Sequence, residues 1–432
     1  MKKVISLLLI ISSTIFISGC NSIFSNYREI QQLLVIQTMG LDLDESGVLV
    51  SMAAATEASS STPRQLCAQG GTISAAIDRA YDLSYEEEIF FSHVNHMLIG
   101  ETSAEQGIEG FLDYVCQSAT LRMDIPLYIV RNGTANQAVM TVGDGNKGIS
   151  EIMQSVRESF ASPSNSQVFT VADVLSSLDR YGSALVCAVD CVPSSESKSD
   201  ETKNSPSGEQ QGGTAEEGSA EEAAAEEGAQ KESTKEESAR GESTQQDPLE
   251  NSNSDNPLMA APAGYAIIRD GKLCKFIEPE QSLALGLLTD SVPICSIVVD
   301  DTNGKPSTLE ISTGNAEILP LWEGSRLRGL DIHAQVSASV LETGTRNDSG
   351  GEEYINFLTG QLEAYVSQHI KQLLQDSMQL KADFLGLASR VERASPEKYR
   401  LLSQSFPELL PGLELQLSVS GQLSHTNDMK EV

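Results

Sequence analysis

The sequence predicts an α+β fold of more than one domain, with mixed sheets, packed helices and a lipid-anchored N-terminus. Three observations predict it. Strand-like and helix-like runs interleave without strict βαβ regularity. A long acidic stretch, almost free of aliphatic side chains larger than alanine, divides the 432 residues into two apolar-rich halves. The first twenty residues read as an export leader that ends at a cysteine.

Lys2 and Lys3 open the leader, and residues 4–17 are apolar apart from Ser and Thr. That run of about 14 residues is short of the ~20 needed to span a bilayer as a helix. It closes on Ile17-Ser18-Gly19-Cys20, an aliphatic and two small residues before the cysteine. Small residues let a peptidase grip an extended backbone, and the thiolate takes a diacylglyceryl group through a thioether. Residues 1–19 are therefore expected to be a signal peptide, Cys20 the lipidation site and 20–32 a lipidated tether. Two acyl chains, at about 0.8 kcal/mol per buried methylene, anchor stably where one does not.

The first half is read as a domain over 33–193. Aliphatic runs at 33–41 and 48–56, around the turn 42–47, predict a β-hairpin. Residues 57–71, rich in Ser, Thr, Pro and Gly, read as a loop. Ile73, Ala76, Ile77, Ala80 and Tyr81 share one face of a helix over 72–84. A strand is expected over 89–99. A helix over 103–119 would carry Ile108, Phe111, Leu112 and Val115 inward, with Ser103-x-x-Gln106 as its capping box. A buried strand at 126–130, short helices within 134–142, 149–160 and 170–178, and an apolar strand at 184–192 complete this half.

Residues 194–256 hold 17 acidic and 5 basic residues, no aromatic, and Leu249 as the lone aliphatic beyond alanine. Such a stretch buries too little apolar area to offset the cost of ordering its backbone. An acidic disordered linker or insert is expected over 194–261. A second domain is read over 262–425, with a tail at 426–432. It opens on a strand at Gly264 and a tight turn at Arg269-Asp270-Gly271-Lys272, where Asp-Gly tolerates positive φ. A helix at 279–288 and strands at 295–299, 309–312 and 327–341 follow. Ile355, Leu358, Leu362, Val366, Ile370, Leu373 and Leu374 step by three or four along a helix over 352–380. Shorter helices at 385–391 and 396–406 lead to a final strand at 413–419.

Composition excludes several function classes. The net charge of −32 disfavours nucleic acid, whose phosphates need clustered cations. There is no phosphate loop, dinucleotide fingerprint, serine-hydrolase elbow or zinc-protease helix. His93 and His96 form the one metal-like pair, but three residues apart on a strand they point to opposite faces. His333, His369 and His425 are isolated. No metal, cofactor or catalytic residue is assigned, and the chain is read as a non-enzyme. Cys67, Cys116, Cys187, Cys191, Cys274 and Cys295 are too sparse for a disulfide scaffold. Buried free thiols are expected.

The order of motifs resembles a known family. These are the lipobox cysteine, Tyr27-Arg28-Glu29-Ile30, Gly40-Leu41-Asp42 and the run from His93 through Asn95, His96 and Ile99-Gly100-Glu101. Ala104-Glu105-Gln106-Gly107-Ile108, Phe111-Leu112-Asp113 and Arg122 follow. In the second half come the long helix, Ala382-Asp383-Phe384-Leu385-Gly386-Leu387 and the closing strand to Gly421. Together they are similar to the Ger(x)C lipoproteins, the C subunits of spore nutrient germinant receptors. The resemblance spans roughly 20–190 and 262–425. It implies α+β domains, a non-catalytic role in germination signalling, and a place on the extracytoplasmic face of the spore inner membrane. It also implies polytopic A- and B-type receptor subunits as partners. A solute-binding lipoprotein of a transporter is the alternative, which would show two lobes of regular βαβ units around a ligand cleft.

Overall fold

A computed structural model describes residues 33–54, 63–84, 87–143, 147–161, 167–193, 258–292, 294–344 and 351–425. The expected signal peptide, Cys20, the tether, residues 194–257 of the expected acidic segment and the 426–432 tail lie outside the described residues, whereas 258–261 of that segment open a strand. The fold is α+β, with two mixed sheets.

The first half holds strands β1 (Leu33–Asp44), β2 (Gly47–Ala54) and β3 (Gln65–Gly70), then helix α1 (Ile73–Leu83). Next are β4 (Glu88–Phe90), β5 (His96–Gly100), α2 (Glu101–Gln106), α3 (Glu109–Gln117) and β6 (Leu127–Arg131). Helices α4 (Ala135–Val139), α5 (Ile149–Ala161) and α6 (Val171–Tyr181) lead to β7 (Ser183–Pro193). Beyond the acidic segment, β8 (Leu258–Arg269) and β9 (Lys272–Ile277) join the same sheet, whose order is β3-β2-β1-β5-β6-β7-β8-β9 with β4 on the start of β1.

The parallel pairs β1–β5, β5–β6 and β6–β7 sit at the centre, the latter two connected through helices. Both faces of these strands are covered, so they read as continuous apolar runs. Alternation sends Met97, Ile99, Leu127, Ile129, Ala184 and Val186 to the face under α1, α3 and α6. Leu98, Tyr128, Val130, Leu185, Cys187 and Val189 go to the opposite face, under α5 and the second half. β7 and β8 are antiparallel neighbours, with Pro193 opposite Leu258. The chain therefore leaves the sheet and returns to it at adjacent positions, on either side of the acidic segment.

Next come α7 (Ser282–Thr289), β10 (Ser296–Asp300), β11 (Pro306–Glu323), β12 (Arg326–Glu342) and α8 (Glu352–Leu380). Then follow α9 (Leu387–Ala394), α10 (Pro396–Tyr399), α11 (Phe406–Leu409) and β13 (Glu414–His425). The second sheet runs β10-β11-β12-β13, antiparallel except for the β12–β13 pair that α8 connects. Its inner face carries Ile297, Leu309, Ile311, Leu330, Ile332 and Val336, packed with Leu358, Leu362, Val366, Ile370 and Leu373 of α8. Six of the seven stepped apolar residues of α8 are buried, and Ile355 is half-buried.

Several expectations need correction. Gln65–Gly70 is a strand paired with β2, not loop: its one buried side chain, Ala68, leaves no apolar alternation to read. The strand expected over 89–99 is two short strands, interrupted by a turn in which Val94 N–H donates to Phe91 C=O. The helix expected over 103–119 breaks at Gly107, whose φ of 144° no helix holds. Its capping box does not form. The helix begins at Glu101, and Ser103 Oγ instead accepts the amide of Leu43 at 2.8 Å. β11 is far longer than 309–312, because a register shift between Ile311 and Thr313, with Gly314, Asn315 and Pro320 beyond it, hides the alternation. The helix expected over 396–406 is divided into α10 and α11. Asp270 and Gly271 do take positive φ, 48° and 72°, at the expected turn.

Candidate functional site

Two aspartates sit where backbone amides converge. Asp42, near the end of β1, is buried. Its Oδ1 accepts the amide of Ala135 at 2.9 Å and its Oδ2 that of Asn136 at 2.7 Å. Amides of a helix's first turn have no partner inside the helix, so the carboxylate satisfies them and faces the positive end of α4. Burial pushes the Asp42 carboxyl up, while the amide bonds pull the other way. Gly100 closes the site from behind. A Cβ on it would stand 2.2 Å from Asp42 Oδ1, so the strand end approaches this closely only as glycine. Glu101 accepts the amide of Asn132, and Ser51 Oγ donates to Asn136 Oδ1 at 2.7 Å.

Asp383 repeats the device in the second half. Its Oδ1 accepts the amide of Leu387 at 2.7 Å and its Oδ2 that of Ala388 at 2.8 Å, at the start of α9. Burial pushes this carboxyl up to about 7, against those two bonds. Ser377 Oγ donates to Ala382 C=O at 2.7 Å and fixes the chain as it leaves α8.

Asp383 also lies in the wall of a cleft of about 280 Å³. Ser177 and Tyr181 of α6, Ser183 of β7, Asp290 after α7, and Arg390 and Arg393 of α9 line it. The cleft is stapled from both halves. Arg180 pairs with Glu392 at 2.6 Å, and Gln167 Nε2 donates to Thr289 Oγ1 at 2.9 Å. Arg390 pairs with Asp290 at 2.8 Å and donates to Leu288 C=O at 3.0 Å.

The histidine pair is not on one strand. His93 is exposed in the turn before β5, its ring 5.7 Å from that of Phe90. His96 opens β5 and is only 2% exposed. Burial lowers it to about 4, with a smaller contribution from Arg157. Among the described residues no three His, Cys, Asp or Glu side chains come together to hold a metal. All six cysteines of the two halves are free thiols. The expectation that they are buried holds only for Cys187, pushed up to about 12 by burial. Cys67, Cys116 and Cys274 are exposed because they lie on outward positions of edge strands and helix surface.

Residues 26–190 match the family model of the spore germination protein N-terminal domain. Residues 263–427 match the model described as spore germination B3/GerAC-like, C-terminal. The chain belongs to the GerAC-like spore germination family. The two matches follow the family's order and together cover well over half of the chain. The fold also matches the crystal structure of the GerBC protein, with a TM-score of 0.52 and 14% identity over 89% of this chain and 96% of that one. No curated protein matches the chain.

Much of what carries the GerAC-like resemblance is thus internal scaffolding. Gly40, Asp42, Gly100 and Glu101 come together around α4, and Asp383 and Gly386 around the start of α9. Arg122 stays apart, exposed and paired with Asp124 at 3.1 Å. Tyr27-Arg28-Glu29-Ile30 and Cys20 lie outside the described residues. Reading the sequence singled out neither the cleft nor Ser183, Arg390 and Arg393, which stand on elements far apart in the chain. Asp383, four residues before Leu387 and an apolar run, did carry a local helix-start signal.

Proposed function

We propose that the chain is the lipid-anchored subunit of a spore nutrient germinant receptor, docking to polytopic A- and B-type membrane subunits and performing no catalysis. One observation carries this reading: a lipobox-like cysteine, the N-terminal family domain and the C-terminal family domain follow one another along a single chain. Among the described residues no helix is long and apolar enough to cross a membrane. In this reading, acyl chains on Cys20 hold both domains to the extracytoplasmic face of the spore inner membrane. Asp42 and Asp383 spend their carboxylates on helix amides, which suits a scaffold that transmits a signal rather than an acid–base catalyst. The alternative, a solute-binding lipoprotein, fits the second sheet poorly, since three of its four strands form an antiparallel run.

Affinity purification of the tagged protein from spore membranes tests the reading. Co-recovery of two multi-spanning proteins is expected. Recovery of an ATPase-coupled permease in their place would overturn it in favour of the transporter role.

A further inference from the structure

The cleft between α6, β7 and α9 holds an imbalance of polar groups that the fold itself does not use. Arg390 is neutralised by Asp290. Arg393, also in the wall, is exposed and has no carboxylate within ion-pair distance among the described residues. Asp383 is turned to the amides of α9, so it does not neutralise Arg393 through a direct pair. Burial also keeps its carboxyl partly protonated near neutral pH. In a chain of net charge −32, this leaves a small concave site with one uncompensated cation.

Ser183 supplies the second observation. It is 1% exposed, and its hydroxyl has no hydrogen-bond partner among the described residues. Buried hydroxyls in folded proteins are nearly always bonded, so an orphan in a cleft wall marks a place for an incoming acceptor. Strand alternation turns Ser183 to the face shared with Leu185 and Cys187, which is the face the second half covers. Phe169, Tyr181 and Phe384 add an apolar lining. A volume of about 280 Å³ lies at the lower edge of the ~300–1,000 Å³ typical of small-molecule sites.

We propose that this cleft binds a small organic carboxylate with an apolar tail, its charge met by the Arg393 guanidinium and one oxygen by the Ser183 hydroxyl. A guanidinium offers a planar pair of donors matched to a carboxylate. Ligand here bridges α6 and β7 of the first half to α9 of the second, and so ties binding to the way the two halves pack. The site requires no membrane partner and stands apart from the receptor reading.

Calorimetry on the full chain, with phenylacetate and phenylacetamide as a matched pair, tests it. Phenylacetate is expected to bind saturably and at least tenfold more tightly than the amide. Arg393→Gln is expected to abolish that preference, whereas Arg393→Lys retains part of it and Arg326→Gln, which does not line the cleft, leaves it intact. Ser183→Leu fills the cavity and should block both compounds. Absence of saturable binding, equal affinity for acid and amide, or an unchanged preference in Arg393→Gln overturns the proposal. Arg393 is on the surface, and unchanged circular dichroism and thermal unfolding of its variants separate loss of binding from loss of fold.

Discussion

Asp42 Oδ1 accepts the backbone amide of Ala135 at 2.9 Å, across 93 residues of chain. The bond fixes where α4 begins relative to β1, and it leaves no room for a side chain at the end of β5. Asp383 and Leu387 do the same work four residues apart. One carboxylate is a long-range clamp and the other a local cap, yet both consume helix amides that would otherwise be buried without partners.

Gly100→Ala is expected to be among the more damaging single changes available outside the apolar core. The new Cβ would meet Asp42 Oδ1 at 2.2 Å and the Ala135 amide nitrogen at 3.1 Å. Asp42 cannot swing aside without abandoning two amides, so overpacking adds to lost hydrogen bonds. A loss of roughly 1–3 kcal/mol from overpacking alone is expected in urea unfolding. A variant as stable as the parent would show that the clamp is loose.

His96 and Asp383 set opposed pH dependences. His96 sits at about 4 in the fold against an ordinary 6.5. Between those values the unfolded chain takes a proton that the folded one refuses, so stability falls as pH drops from about 6.5 to about 4. Asp383 sits at about 7 against an ordinary 3.8. There the folded chain keeps a proton that the unfolded one releases, so stability falls as pH rises from about 4 to about 7. The two slopes offset each other. Relative to the parent, His96→Gln is expected to lose stability as pH rises through that window, and Asp383→Asn as it falls, each by up to roughly 3 kcal/mol. Urea midpoints across pH 4–7 read both; slopes of the reverse sign would refute the assignment.

Excising 194–256 and joining the ends with a short turn should leave thermal unfolding within a few degrees of the parent. Pro193 and Leu258 are already strand neighbours, so the excision shortens one hairpin connection. Closure entropy grows only slowly with loop length, about 0.6 kcal/mol per doubling. A large drop in the unfolding midpoint would mean that the acidic segment packs against the fold.

Cys20→Ala is expected to move the protein from the membrane fraction to the soluble fraction of cells. Mass spectrometry of the parent should find a diacylglyceryl group on a mature N-terminal cysteine. Retention of the alanine variant on membranes would require a second anchor.

Local signals made much of this fold legible. The stepped leucines, valines and isoleucines of α8 announced a helix because a 3.6-residue period survives wherever one face is buried. Asp270-Gly271 announced its turn because few other pairs accept two positive φ values. The apolar runs of β6 and β7 were readable too, because strands covered on both faces are apolar throughout. β3 was not, because its half-buried residues lack alternation, and neither was the length of β11, whose register shift breaks the phase that a strand reader follows.

The two apolar-rich halves, the segment too acidic to build a core and the order of family motifs are each written in neighbouring residues, so the chain alone reveals them. That β8 and β9 complete the first sheet, that Asp42 serves α4, and that Ser183 and Arg393 line one cleft emerges only in the folded chain. Those relationships join groups tens to hundreds of residues apart, where pairing is selected by the burial and hydrogen-bonding needs of the whole fold and leaves no periodic trace in the chain.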